Sequence, residues 1–188
     1  QDENNSFLMD KSKPTILIIG GSLGALSINN AIKNNLEKLV NFGVNLVWQT
    51  GSSFYDLAVE KVEQNFFDRV RVHKFINDMH SAYSISDIIV SRAGAISISE
   101  LCVVSKPVIL VPSPNVAENH QHKNAQSLVN KKAALIVKDS EANCKLVEEL
   151  IKLMKNKNLQ KSLSKNIGDL AIKDSTTRIS KIALELIK

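Results

Sequence analysis

Four short, largely apolar runs, each followed by a helical pattern, constrain this chain more than any other feature in it. They are Thr15–Ile19, residues 44–48, residues 87–90 and residues 107–111. A strand that does not alternate apolar and polar residues cannot show one face to water. It has to be covered on both sides, which points to a parallel sheet between helical layers. Residues 70–75 alternate as a further strand, and residues 134–137 are a sixth. Helical patterns fill the gaps: from residue 25 to about 40, then 56–64, Met79–Ile85, 96–104 and 119–130. The tail reads as helices at about 144–154, 159–172 and 176–187. Right-handed crossovers turn this order into an α/β, doubly wound, Rossmann-like fold. Residues 1–13 read as a linker or a remnant of upstream sequence, and residues 14–188 as one domain, long enough to bury its own core. There is no internal repeat.

Composition narrows the classes of function. The net charge is +5, carried mostly by lysines towards the end of the chain. Lysines spaced in this way read as solvated helix faces, with attraction to an anionic surface as the alternative. Aromatics make up 5% and no Arg-rich or Lys-aromatic cluster occurs, so nucleic acid is not an expected partner. Cys102 and Cys144 are unclustered thiols, as in a reducing compartment without a disulfide framework. No apolar run approaches the ~20 residues that span a bilayer, and the polar start offers no signal peptide. A chain opening on Gln1 is expected to be a fragment or a processed product.

Ligands of doubly wound sheets bind beyond the carboxyl ends of the strands, so the turns there hold the candidate chemistry. The first turn, Gly20-Gly21-Ser22-Leu23-Gly24-Ala25, suits close backbone approach to a phosphate, or is a plain tight turn. Its spacing is neither the dinucleotide fingerprint nor a Walker loop, and Trp48-Gln49-Thr50-Gly51 puts no acid after the second strand. The turn after the fourth strand is more telling. Gly94 leaves room for a ligand, and Ala95, Ile96 and Ser97 offer free amides at a helix start, a seat for a diphosphate. Ser97 and Glu100 share a helix face, and a carboxylate there suits a vicinal diol such as a ribose. A capping carboxylate or a surface ion pair is the alternative for Glu100. In the third cluster, 119–124, polar side chains including His120 and Gln121 are placed to read sugar hydroxyls. His120 and His122 are two apart and have no third ligand nearby, so no metal is expected.

These segments, in this order, resemble the MurG-type glycosyltransferases of peptidoglycan synthesis, from about Thr15 to the end of the chain. The resemblance rests on the glycine turn, on Phe75-Ile76-Asn77-Asp78-Met79, on residues 91–100, and on Pro112-Ser113-Pro114 through Asn124-Ala125. It implies one half of a GT-B fold, the carboxyl half that binds UDP-N-acetylglucosamine. It also implies roles. Ser22 contacts the diphosphate, as do the amides of Ala95, Ile96 and Ser97. Phe75, Ile76 and Met79 line the uracil, with Ile76 backbone atoms reading its edge. Glu100 binds the ribose, and His120 and Gln121 the N-acetylglucosamine. The family commonly has Gln-Gln at this last pair, and His120 departs from that form.

The implied reaction is inverting transfer of N-acetylglucosamine to lipid-linked N-acetylmuramyl pentapeptide, with no cofactor and no tightly bound metal. The family's acceptor loops and catalytic base belong to an amino-terminal acceptor domain, which becomes the expected partner. Through it come the lipid-linked acceptor and a peripheral position on the cytoplasmic face of the bacterial plasma membrane. The arginine that the family places upstream of the first strand has no counterpart in residues 1–13. Three other readings stand beside this one: a subunit of a split lipid-linked-sugar transferase, a UDP-sugar 2-epimerase, and an inactive sugar-nucleotide-binding fragment.

Overall fold

A computed structural model of the chain describes residues 7–63, 65–114 and 119–187. Part of the stretch before the helix expected over 119–130, and the end of the helix expected over 56–64, lie outside those residues. The strands are β1 (Thr15–Ile19), β2 (Asn45–Gln49), β3 (Val70–His73), β4 (Ile88–Ser91), β5 (Val108–Leu110) and β6 (Leu135–Ile136). They form one six-stranded sheet in the order β3-β2-β1-β4-β5-β6, and every pairing is parallel. This is the doubly wound order anticipated from the unalternating runs. Between and after the strands come α1 (Leu26–Asn34), α2 (Leu36–Phe42), α3 (Tyr55–Glu63), α4 (Met79–Ile85), α5 (Ala95–Val104), α6 (His120–Asn130), α7 (Ala142–Lys155), α8 (Lys157–Gly168) and α9 (Ser175–Leu186).

Strand periodicity divides the core into two. Ile16, Ile18, Leu46, Trp48, Ile88 and Val90 face one helical layer with Ile28, Leu39, Ala58 and Leu150. Leu17, Val47, Ile89 and Leu110 face the other, with Ala82, Leu101, Ala125 and Ile167. Successive side chains leave a strand on opposite sides, so both sets must be apolar. That is why β1 and β2 are buried almost throughout.

Several boundaries differ from those read in the sequence. The first helical pattern is broken at Asn35, whose backbone (φ −120, ψ 17) leaves the helix while its side chain donates to the carbonyl of Ala31 at 2.9 Å. The break lets Leu36 and Leu39 of α2 turn into the core. β3 stops at His73, because the carbonyls of His73 and Lys74 accept from Thr50 and Gly51 in the neighbouring turn. Phe75 and Ile76 therefore sit in a loop. α8 ends at Gly168 and not at residue 172. Residues 7–13, read as linker, lie against the sheet. Phe7 and Met9 pack on its second face, and Asn45 Nδ2 donates to the carbonyl of Asp10 at 2.8 Å. No residue of α9 is buried.

Candidate functional site

In this strand order the connections reverse direction between β1 and β4, leaving a crevice above their carboxyl ends. The loops after β1, β3, β4 and β5 all open at that edge, and they or the helices behind them carry every candidate residue.

α5 points its first turn into the crevice. Its first intrahelical bond runs from Ile98 N to the carbonyl of Gly94 at 2.9 Å. The amides of Ala95, Ile96 and Ser97 thus have no acceptor within the helix, no side chain caps the N-terminus, and its first turn carries no acid. α4 makes the contrast, since Asp78 Oδ1 accepts from Ser81 N at 3.0 Å. The positive end of the α5 dipole is open to an anion. Ala95 and Ile96 are exposed in front of it. Gly94 adopts φ −64, ψ 149, a conformation open to any residue. A Cβ there would touch only Ser97 Oγ, at 3.6 Å. What glycine provides at this point is vacant space before the helix, not conformational freedom.

One turn further along, Glu100 is exposed on the same face, and the hydroxyl of Tyr83 on α4 donates to its Oε2 at 3.1 Å. Burial first, then the charge of Glu100, pushes the Tyr83 phenol well above its ordinary pKa, so it remains a donor. Tyr83 escaped the sequence reading, because the contact joins two helices and leaves no local pattern.

The glycine turn is set by sterics. Gly24 (φ +79) and Gly51 (φ +76) lie back to back. A Cβ on Gly24 would fall 2.0 Å from the Thr50 carbonyl oxygen. The same oxygen accepts from Asn29 Nδ2 at 2.8 Å, and Asn29 Oδ1 accepts from Trp48 Nε1 at 3.0 Å. Ser22 is exposed at the tip of the turn.

Gln49 is a second residue that sequence reasoning missed. Its Nε2 donates to the carbonyl of Gly21 at 3.0 Å, and its Oε1 accepts from Ile76 N at 3.0 Å. One buried carboxamide thereby fastens the glycine turn to the Phe75–Met79 segment. Phe75 is exposed, Met79 is half-buried and Ile76 is buried. With its amide already engaged, Ile76 has its carbonyl as the remaining backbone group for a ligand.

At the other side, His120 is exposed at the start of α6. Gln121 Oε1 accepts from Ser113 N at 2.9 Å and from Ala93 N at 3.3 Å, while Asn124 Nδ2 donates to the carbonyl of Ala93 at 3.2 Å. The oxygen of Gln121 is therefore a clamp between two loops, and its amide nitrogen is the part open to a ligand. Arg92 turns inward, donating to the carbonyl of Val111 at 3.0 Å and pairing with Asp139, which also accepts from Ser27. Among the described residues, no three His, Cys, Asp or Glu side chains come together as a metal site, and no helix is long and apolar enough to cross a membrane.

The parallel sheet in this order, with helices on both faces, is an α/β, Rossmann-like domain of the kind that forms half of a GT-B fold. Residues 15–179 match the model of the glycosyltransferase family 28 C-terminal domain, and the chain belongs to that family. It is 51% identical over 174 residues to the UDP-N-acetylglucosamine–N-acetylmuramyl-(pentapeptide) pyrophosphoryl-undecaprenol N-acetylglucosamine transferase of Cytophaga hutchinsonii, covering 93% of this chain and 46% of that protein. The crystal structure of Acinetobacter baumannii MurG superposes with a TM-score of 0.80 at 27% identity, over 97% of this chain and 52% of that one. A complex of S. aureus MnaA with UDP shares the fold, with a TM-score of 0.66 at 17% identity over 96% and 48% of the two chains. The chain thus spans about half the length of the curated relatives it matches.

Proposed function

We propose that this chain is the donor-binding half of an inverting N-acetylglucosaminyltransferase, one that moves N-acetylglucosamine from UDP-N-acetylglucosamine to lipid-linked N-acetylmuramyl pentapeptide. One observation carries the reading: the uncapped amides of α5 stand one turn from the exposed carboxylate of Glu100, and the glycine turn follows β1, the strand paired with β4. In it, Ala95, Ile96 and Ser97 hold the diphosphate with Ser22 opposite. Glu100 takes the ribose, Phe75, Met79 and the Ile76 carbonyl enclose the uracil, and His120 with the Gln121 amide meets the sugar.

The same geometry accounts for the chemistry assigned to this half. As the glycosidic bond to the diphosphate breaks, negative charge accumulates on the leaving UDP. The α5 amides and dipole meet that charge without reorganising. The acceptor hydroxyl also needs a general base, and the reading places it on an amino-terminal acceptor domain that closes over the crevice. Leu23 (87% exposed), Leu26 and Ile96 (78% exposed) rim the site with apolar surface for such a domain to cover. That domain would also bring the lipid acceptor and the inner face of the plasma membrane.

Isothermal titration of the folded chain with UDP-N-acetylglucosamine and with UDP tests the donor assignment. Binding of both is expected, and no heat at millimolar ligand would refute it. Transfer to a lipid-linked acceptor is expected only once an amino-terminal half is added, so turnover by this polypeptide alone would contradict the division of labour.

A further inference from the structure

The Glu100 carboxylate lies on the surface of α5, where a glutamate would ordinarily sample several rotamers. Holding such a side chain for a ligand costs rotamer entropy at the moment of binding. Here the hydroxyl of Tyr83 already occupies Oε2, at 3.1 Å. Tyr83 is itself held in place. Its side chain is partly buried against the second core layer, as are those of Met79 and Ile98. Its carbonyl accepts from both Ser86 N (3.3 Å) and Ser86 Oγ (2.9 Å) at the end of α4. A carboxylate has about four acceptor directions. With one taken by the phenol, the remaining directions of this exposed carboxylate are enough to accept from two neighbouring hydroxyls.

We propose that Tyr83 is the positioning residue for ribose recognition: by fixing the Glu100 carboxylate it sets the preference of this site for a nucleotide with a 2′,3′-diol over one without. The proposal rests on the donor-site reading above and adds to it a residue outside the crevice lining. Tyr83 acts through Glu100, so its effect appears only with ligands that carry the diol.

Calorimetric titration of wild type, Tyr83→Phe and Glu100→Ala with UDP and with 2′,3′-dideoxy-UDP separates these steps. Tyr83→Phe keeps the ring and removes one charge-assisted hydrogen bond. It is expected to weaken UDP binding about three- to tenfold and to leave dideoxy-UDP unchanged. Glu100→Ala is expected to bind the two nucleotides alike, and adding Tyr83→Phe to it should change nothing further. An unchanged UDP affinity in Tyr83→Phe, or an equal loss for both nucleotides as a packing defect would give, overturns the role of Tyr83. Wild type that binds UDP no better than dideoxy-UDP overturns the assignment of Glu100 to the ribose. Wild type that binds neither overturns the donor site itself.

Discussion

Replacing Gln49 by leucine should loosen two loops at once. The side chain is 2% exposed and its two bonds are both 3.0 Å long. Leucine keeps most of the volume but leaves Ile76 N–H without its acceptor and removes one of two donors from the Gly21 carbonyl, which keeps Gly24 N–H at 3.0 Å. Ile76 is also 2% exposed, so water cannot readily replace the lost acceptor, and a buried unsatisfied group costs about 1–3 kcal/mol. Gly21 lies at the surface, where its carbonyl can rehydrate, so that loss is nearer about 1 kcal/mol. The sum is about 2–4 kcal/mol, or a fall in Tm of roughly 5–15 °C for a domain of this size. Calorimetric or urea unfolding measures it directly. Gln49→Glu provides the internal control, because it keeps an acceptor for Ile76 N while presenting an oxygen to the Gly21 carbonyl. It should be destabilised too, with UDP affinity reduced through the glycine turn. If Gln49→Leu unfolds within about 0.5 kcal/mol of wild type, the bridge contributes nothing and the reasoning fails.

Gly24→Ala should destabilise by about 3 kcal/mol or more, combining a left-handed backbone with a Cβ 2.0 Å from the Thr50 carbonyl oxygen; a wild-type urea midpoint would contradict the back-to-back packing of the two turns. Asp139→Asn removes the charge paired with Arg92, whose side chains are 16% and 22% exposed. A loss of about 1–3 kcal/mol is expected, discounted for that partial exposure, and a double-mutant cycle with Ser27→Ala should show coupling if the three groups form one network. His73 has a buried Nε2 with no partner among the described residues, and burial followed by the charge of Arg71 lowers its pKa from 6.5. The unfolded chain then binds the extra proton first. The stability carried by neutral His73 is therefore complete above about pH 6.5 and is lost as pH falls towards the lower folded value. His73→Phe should flatten that acid limb in urea titrations between about pH 5 and 8, and an unaltered limb would assign it to other groups.

The frame of this fold was legible because burial on both faces leaves a local mark. Thr15–Ile19 and residues 107–111 can hardly be anything but inner strands, and a parallel order then dictates where the turns gather. The start of α5 was legible from a local pattern of another kind: glycine after a strand, three small or apolar residues, then an acid one turn on. What escaped was held by side-chain amides acting across the fold. Gln49 stood out in the sequence only because no acid took its place, yet it bonds Gly21, 28 residues before it, and Ile76, 27 residues after it. Gln121 was read as a sugar contact, and what its sequence position did not reveal is the clamp its oxygen makes between two loops. The break at Asn35 was hidden because the apolar positions continue through it with helical spacing, while a single asparagine interrupts the backbone. Periodicity records burial, whereas a hydrogen bond between distant segments has no period.

The identity of those cross-links bears on why this edge suits an anion. Gln49 and Asn29 tie together the loops after β1, β2 and β3, Gln121 and Asn124 those after β4 and β5, and all four are neutral. A carboxamide offers a donor and an acceptor at once, so it can satisfy backbone N–H and C=O groups of two different loops without adding charge. Carboxylates in the same places would bind the loop amides more strongly, but they would set negative charge beside the open end of α5 and cancel its field. Arg92, a charged link at this edge, is paired with Asp139 and adds little net field. The loops are thus held in register before any ligand arrives, while the α5 amides stay open, as do the starts of α1 and α6, which likewise carry no side-chain cap and no acid in the first turn. Converting one clamp to its acid, as in Gln121→Glu, separates these two effects. Stability should change little, because Oε1 keeps both backbone donors, whereas affinity for a diphosphate should fall and recover in part with added salt. Loss of affinity without that salt dependence would mean that Gln121 acts through its amide contact and not through the field.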